Sequence, residues 1–143
     1  MITEKKIVYL FDVLWSAMEY CAENRERCLR QFPLIEKQFI KHKLDFNTLL
    51  QELIKYDGIG ITIATGLIWS SYPGRAVPFD KYTTTWSLQK KYIKTNRISD
   101  DYKTICSKII KELKARRKPI TVHDFVREAR VEVEDLGYTI AAE

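Results

Sequence analysis

The sequence predicts an all-α fold, a compact single-domain helical bundle, and three observations carry that prediction. The chain has 143 residues, of which 45% are hydrophobic and 30% charged, the size and balance of one ordinary globular domain. Its apolar residues recur at helical spacing in several segments, and no segment alternates as a half-buried strand would. Two glycines, Gly58 and Gly60, sit between two such segments and mark a tight helical hairpin. The domain divides into N-terminal helices over 1–44, the hairpin with a Pro-x-Asp segment over 46–92, and C-terminal helices over 99–136.

From Glu4 to Ala22 the apolar positions Ile7, Leu10, Phe11, Leu14, Trp15, Met18 and Cys21 form one stripe, which predicts one long helix. A more charged helix around Arg25 to Phe32 is expected to stop near Pro33, where a new turn points Ile35, Phe39 and Ile40 inward. After Lys43, the segment Asp45-Phe46-Asn47-Thr48 offers helix caps, with Thr48 and Gln51 spaced as a capping box ahead of Leu49, Leu50, Leu53 and Ile54. That helix is expected to reach about Tyr56.

Asp57-Gly58-Ile59-Gly60 then turns the chain. Ile61 to Ser71 is rich in Ile, Thr and Ala, but its length and its glycine and proline borders suit a buried helix better than a strand. Tyr72-Pro73-Gly74 is a turn, and Val77-Pro78-Phe79-Asp80 runs extended until Asp80 caps a helix carrying Tyr82, Trp86 and Leu88. A further helix is expected to start at Ser99 or Asp100, with Ile105, Ile109, Ile110 and Leu113 inward and the lysines, Arg116 and Arg117 largely outward. Pro119 ends it, and Thr121 with Asp124 opens a last helix through Val122, Phe125, Val126 and Ala129.

The net charge of +5 is unevenly placed. Residues 1–74 carry nine basic and nine acidic side chains, residues 75–118 thirteen and four, and residues 119–143 two and six. A basic stretch of that kind can be a footprint for phosphate or simply a set of solvated helix faces. Cys21, Cys28 and Cys106 lack the close pairing that a zinc or iron-sulfur site needs and read as buried thiols, so no metal is expected. No apolar run approaches the roughly 18 residues of a membrane span, which predicts an intracellular chain, cytoplasmic or nuclear or nucleoid-associated.

A hairpin that leads into a helix presents unpaired backbone N–H groups at the positive end of the helix dipole, and these can hold a phosphate without reading a base. The run Leu53-Ile54-Lys55-Tyr56-Asp57-Gly58-Ile59-Gly60-Ile61-Thr62-Ile63-Ala64, followed by Val77-Pro78-Phe79-Asp80, resembles the helix-hairpin-helix Gly/Pro-Asp superfamily of DNA glycosylases over about residues 46–92. The resemblance implies that Gly58, Ile59 and Gly60 clamp the DNA backbone, commonly with a monovalent cation on hairpin carbonyls. It further implies that Asp80 takes the catalytic aspartate position. Bifunctional members carry a Schiff-base lysine two residues after the second hairpin glycine. Thr62 stands there in this chain, so the resemblance implies at most a monofunctional N-glycosylase.

DNA is therefore the expected partner, held mainly through its phosphates by Gly58, Ile59, Gly60 and Thr62, with Lys81, Lys90, Lys91 and Lys94 extending the charged surface. Arg116, Arg117 and Lys118 join that surface if the fold brings their helix end to the same face. The alternative is a non-catalytic protein-interaction or regulatory module, in which the hairpin is a compact connection, Asp80 an ordinary helix cap, and the acidic stretch from Glu128 to Glu143 a contact for a basic partner. The oligomeric state and the target base are not encoded in any of these signals.

Overall fold

In a computed structural model, which describes residues 1–138 and 140, the chain folds into eight α-helices with no strand among the described residues. These are α1 (Glu4–Tyr9), α2 (Cys21–Arg30), α3 (Phe32–His42), α4 (Phe46–Leu53), α5 (Ile61–Ser71), α6 (Lys81–Gln89), α7 (Tyr102–Ala115) and α8 (Val122–Leu136). A π-helical turn, Leu10–Leu14, extends α1, and a short 3-10 turn, Ile98–Asp100, precedes α7. No helix of the described residues is long and apolar enough to cross a membrane.

Helix α5 is the hub. Every residue from Ile63 to Trp69 is buried, so the helix is enclosed on all sides rather than along one stripe. Leu49, Leu50 and Leu53 of α4 pack on it from one direction, and Ile7 of α1 with Leu10 and Phe11 of the π turn from another. Helix α6 packs along α8, while α4 and α8 both touch α7. Burial of the aliphatic and aromatic side chains in this core is the main stabilising term, about 1.5–3 kcal/mol for each one fully removed from water.

The N-terminal stripe does not make the single helix its spacing predicts. Regular α-helix stops at Tyr9, the Trp15 N–H bonds back to the Leu10 carbonyl at 2.8 Å, and the chain turns until Tyr20, whose φ is +57°. The cause lies far along the sequence, where Gly66 of α5 lacks a side chain. The Trp15 ring lies against that bare backbone so closely that a Cβ there would overlap it. Trp15 is 95% buried in this arrangement.

The break expected near Pro33 is present, since α2 ends at Arg30 and Pro33 sits in the first turn of α3, where a missing N–H costs nothing. Other local expectations also yield to longer-range contacts. Ile40, expected inward, is exposed because Ile35 and Phe39 define the buried face of α3. Asp45, not Thr48, caps α4, accepting from the Thr48 N–H at 3.3 Å, while Gln51 donates to the Ser99 carbonyl at 2.9 Å instead of reaching back. Regular helix in α4 ends at Leu53 and not Tyr56, and α7 is capped by Asp101 rather than by Ser99 or Asp100.

Three expectations match the structure closely. Helix α5 spans Ile61–Ser71, Asp80 caps α6, and Thr121 with Asp124 forms the capping box of α8. Val122, Phe125, Val126 and Ala129 all face the core. Of the acidic stretch that ends the chain, Glu143 lies outside the described residues.

Candidate functional site

The turn between α4 and α5 is compact. Tyr56 N–H bonds to the Leu53 carbonyl and Ile59 N–H to the Tyr56 carbonyl, at 3.1 and 3.2 Å. Gly58 has φ of +72°, a left-handed conformation that an L side chain adopts only at a cost of about 1–2 kcal/mol. Helix α2 covers this bend. The Arg27 side chain lies over Gly58 with its Nε 3.8 Å from the Asp57 carboxylate, and Gln31 Nε2 donates to the Asp57 carbonyl at 2.8 Å.

Gly60 differs from Gly58. Its backbone is extended, it caps α5 without a side-chain hydrogen bond, and a Cβ there would meet nothing within 4 Å. The start of α5 at Gly60 is thus open to the approach of another group. Ile59 is 97% buried and its N–H is taken by Tyr56, so any contact it makes with a ligand runs through the turn's backbone shape. A monovalent cation at this turn would share the Tyr56 and Asp57 carbonyls with the hydrogen bonds they already accept.

Asp80 is placed by a chain of buried contacts. Ala76, Val77, Pro78 and Phe79 are all buried. The Tyr102 hydroxyl donates to the Val77 carbonyl at 2.6 Å, and the Phe79 N–H donates to Thr65 Oγ1 at 2.8 Å. The Thr65 hydroxyl in turn donates to the Ile61 carbonyl at 2.8 Å, so it fastens the extended segment to the first turn of α5. Asp80 follows directly, half-buried, at the start of α6.

There it forms a capping box. Asp80 Oδ1 accepts from the Thr83 N–H at 2.8 Å and from the Thr83 hydroxyl at 3.1 Å, while the Asp80 N–H donates to Thr83 Oγ1 at 2.9 Å. The same carboxylate lines a cleft of about 380 Å³, within the range of small-ligand pockets. Thr62 of α5 shares that cleft, as do Lys81 and Tyr82 of α6 and Arg130 of α8, with Trp15, Met18 and Glu19 closing it from the N-terminal segment. Thr62, Asp80 and Lys81, separated in sequence, are thus brought together.

The other cations are not. Helix α6 rises roughly 13 Å over its nine residues, at about 1.5 Å each, so Lys90 and Lys91 stand at the opposite end from Asp80. Lys90 Nζ lies 5.6 Å from the Trp86 ring centroid, and Lys90, Tyr92, Arg116, Arg117 and Lys118 surround a separate basic concavity. Lys91 is exposed at the bend after α6, with φ of +60°.

Arg116 is not the outward cation that the spacing predicts. It makes a two-pronged pair with Glu128, Nη1 to Oε1 at 2.7 Å and Nη2 to Oε2 at 2.9 Å, and also donates to the Tyr92 hydroxyl at 3.1 Å. Trp86 Nε1 adds a bond to Glu128 Oε2 at 2.8 Å. Burial pushes the Glu128 carboxyl up, but its bonds with Arg116 and Trp86 outweigh that and hold it below the usual carboxylate range. Hydrogen bonding to Glu128 raises the Arg116 guanidinium further. This pair locks α7 to α8 and leaves Arg116 little capacity for phosphate.

Cys28 and Cys106 supply no nucleophile at neutral pH. Burial pushes the thiols of Cys28 and Cys106 up to about 12, and Cys21 is half-buried, its sulfur donating to the Phe11 carbonyl. No cluster of three or more His, Cys, Asp or Glu side chains that could hold a metal occurs among the described residues.

Compared with family models, curated proteins and solved structures, the chain matches none of them.

Proposed function

We propose that this chain is a DNA-binding protein of the helix-hairpin-helix, glycosylase-like class. We further propose that Asp80 serves as the catalytic carboxylate of a monofunctional N-glycosylase. The observation that carries the reading is the cleft shared by Asp80 and Thr62, which lies in the first turn of α5. A phosphate at Gly60 and the first turn of α5 would place the neighbouring nucleotide next to Asp80.

The chemistry fits a single carboxylate. A base drawn out of the stack enters the cleft, the bond from its nitrogen to C1′ breaks with the electron pair leaving on the base, and positive charge builds on the sugar. Asp80 stabilises that charge and orients a water whose oxygen adds to C1′ as its proton passes to the carboxylate. Thr62 has no amine, so no Schiff base forms at the position that carries the lysine in bifunctional members. Thr83 holds Asp80 Oδ1 in one orientation.

Arg27 and Gln31, laid across Asp57 and Gly58, favour a second reading in which the hairpin only joins α4 to α5 within a protein-interaction module. Binding to intact, mismatched and abasic duplexes at two salt concentrations separates the two. The DNA reading requires an affinity that falls steeply with salt and depends little on sequence, because each phosphate contact releases counterions. Absence of binding at low salt leaves the interaction module.

A further inference from the structure

We propose that Arg130 is a phosphate-contacting residue of the Asp80 cleft and that, with Lys81, it holds the backbone of the strand whose nucleotide faces Asp80. The inference rests on the DNA reading above and adds a residue on α8, well outside the segment that the resemblance covers.

Four observations support it. Arg130 lines the same cleft as Asp80 and Thr62, although α8 is a separate element that reaches the site only by packing along α6. Its guanidinium carbon lies 5.3 Å from the centroid of the Tyr82 ring, and Lys81 Nζ lies 5.1 Å from the same centroid. Both charges are therefore held within roughly 10 Å of each other by one half-buried ring. An anion at the cleft mouth would meet positive charge from both side chains.

Among the described residues Arg130 makes one ion pair, and it is weak. Its Nε is 3.7 Å from Glu134 Oε1, with the two side chains 50% and 52% exposed. Solvent screens such a pair, and the arginine-before-glutamate order at i,i+4 is the less favourable one on a helix. A phosphodiester offers a better partner, because its oxygens match the guanidinium fork in two parallel charge-assisted hydrogen bonds.

The test uses the full chain and a fluorescein-labelled duplex with an abasic-site analogue, read by anisotropy across a salt series. Arg130→Gln is compared with Arg127→Gln, which removes the same charge from the same exposed helix outside the cleft. Both glutamines suit a helix, and far-UV circular dichroism verifies the fold. R130Q should weaken binding several-fold at low salt and lower the slope of log K against log salt by about 0.9, the value of one phosphate contact. R127Q should leave that slope unchanged. Equal effects of the two substitutions, with the unmodified chain binding normally, overturn the role of Arg130 alone. Failure of the unmodified chain to bind any duplex overturns the DNA reading and this inference with it.

Discussion

The Phe79 N–H donates to the Thr65 hydroxyl at 2.8 Å, a buried bond between the segment that carries Asp80 and the helix that carries Thr62. Because Thr65 lies one turn after Thr62 and Phe79 lies one residue before Asp80, this bond sets where the carboxylate stands relative to the start of α5. Thr65→Val keeps the shape and removes the acceptor, leaving a buried N–H without a partner at a cost of about 1–3 kcal/mol. Denaturant unfolding should show that loss, while Thr65→Ser, which retains the hydroxyl, should keep most of the stability.

Gly66→Ala places a methyl group against the Trp15 ring. Overpacking of this kind costs about 1–3 kcal/mol, and the ring must shift from the wall of the Asp80 cleft. A lower denaturation midpoint together with an altered tryptophan emission spectrum is the expected result. A native midpoint would mean that the indole does not rest on α5.

The two hairpin glycines should behave oppositely. Gly58→Ala strains a backbone at φ +72° and meets Arg27, so the protein should lose about 1–2 kcal/mol of stability. Gly60→Ala finds free space and an ordinary φ of −96°, so stability should hardly change. Its added methyl group stands where DNA backbone would approach, so duplex affinity should fall. Unfolding curves and anisotropy titrations on the two variants read these effects separately.

Acid should loosen the α7–α8 contact. Since the bonds with Arg116 and Trp86 hold the folded-state pKa of Glu128 below its ordinary value, its stabilisation is fully present above that ordinary value and is lost as pH falls through the lower folded value. Glu128→Gln should cost about 1–3 kcal/mol at neutral pH and flatten stability against pH in the acid range. The check is the denaturation midpoint of both proteins measured from neutral to acid pH.

How far the sequence discloses this molecule depends on the distance over which each feature is decided. Helix α5 is legible because Gly60 and Pro73 bracket it, and Asp80 and Thr121 are legible as caps because a cap depends on residues three positions away. The break after Tyr9 is not, since it follows from Trp15 meeting Gly66 on another helix. Arg116 reads as a free surface cation until the fold brings Glu128, Tyr92 and Trp86 around it. Arg130 gives no local signal, for its place in the cleft depends on how α8 lies along α6. Lys90 and Lys91 follow Asp80 closely in sequence yet stand at the far end of the intervening helix.

The most direct test of Asp80 as the working carboxylate is release of bases from duplexes carrying a panel of damaged or mismatched bases, with Asp80→Asn assayed beside the unmodified chain. Asparagine is as good a helix cap as aspartate, so the α6 start and the fold should survive the change. The expected result is base release by the unmodified chain, and duplex binding without release by D80N. Equal release by both proteins, or binding with no release from any duplex by the unmodified chain, would contradict a catalytic Asp80.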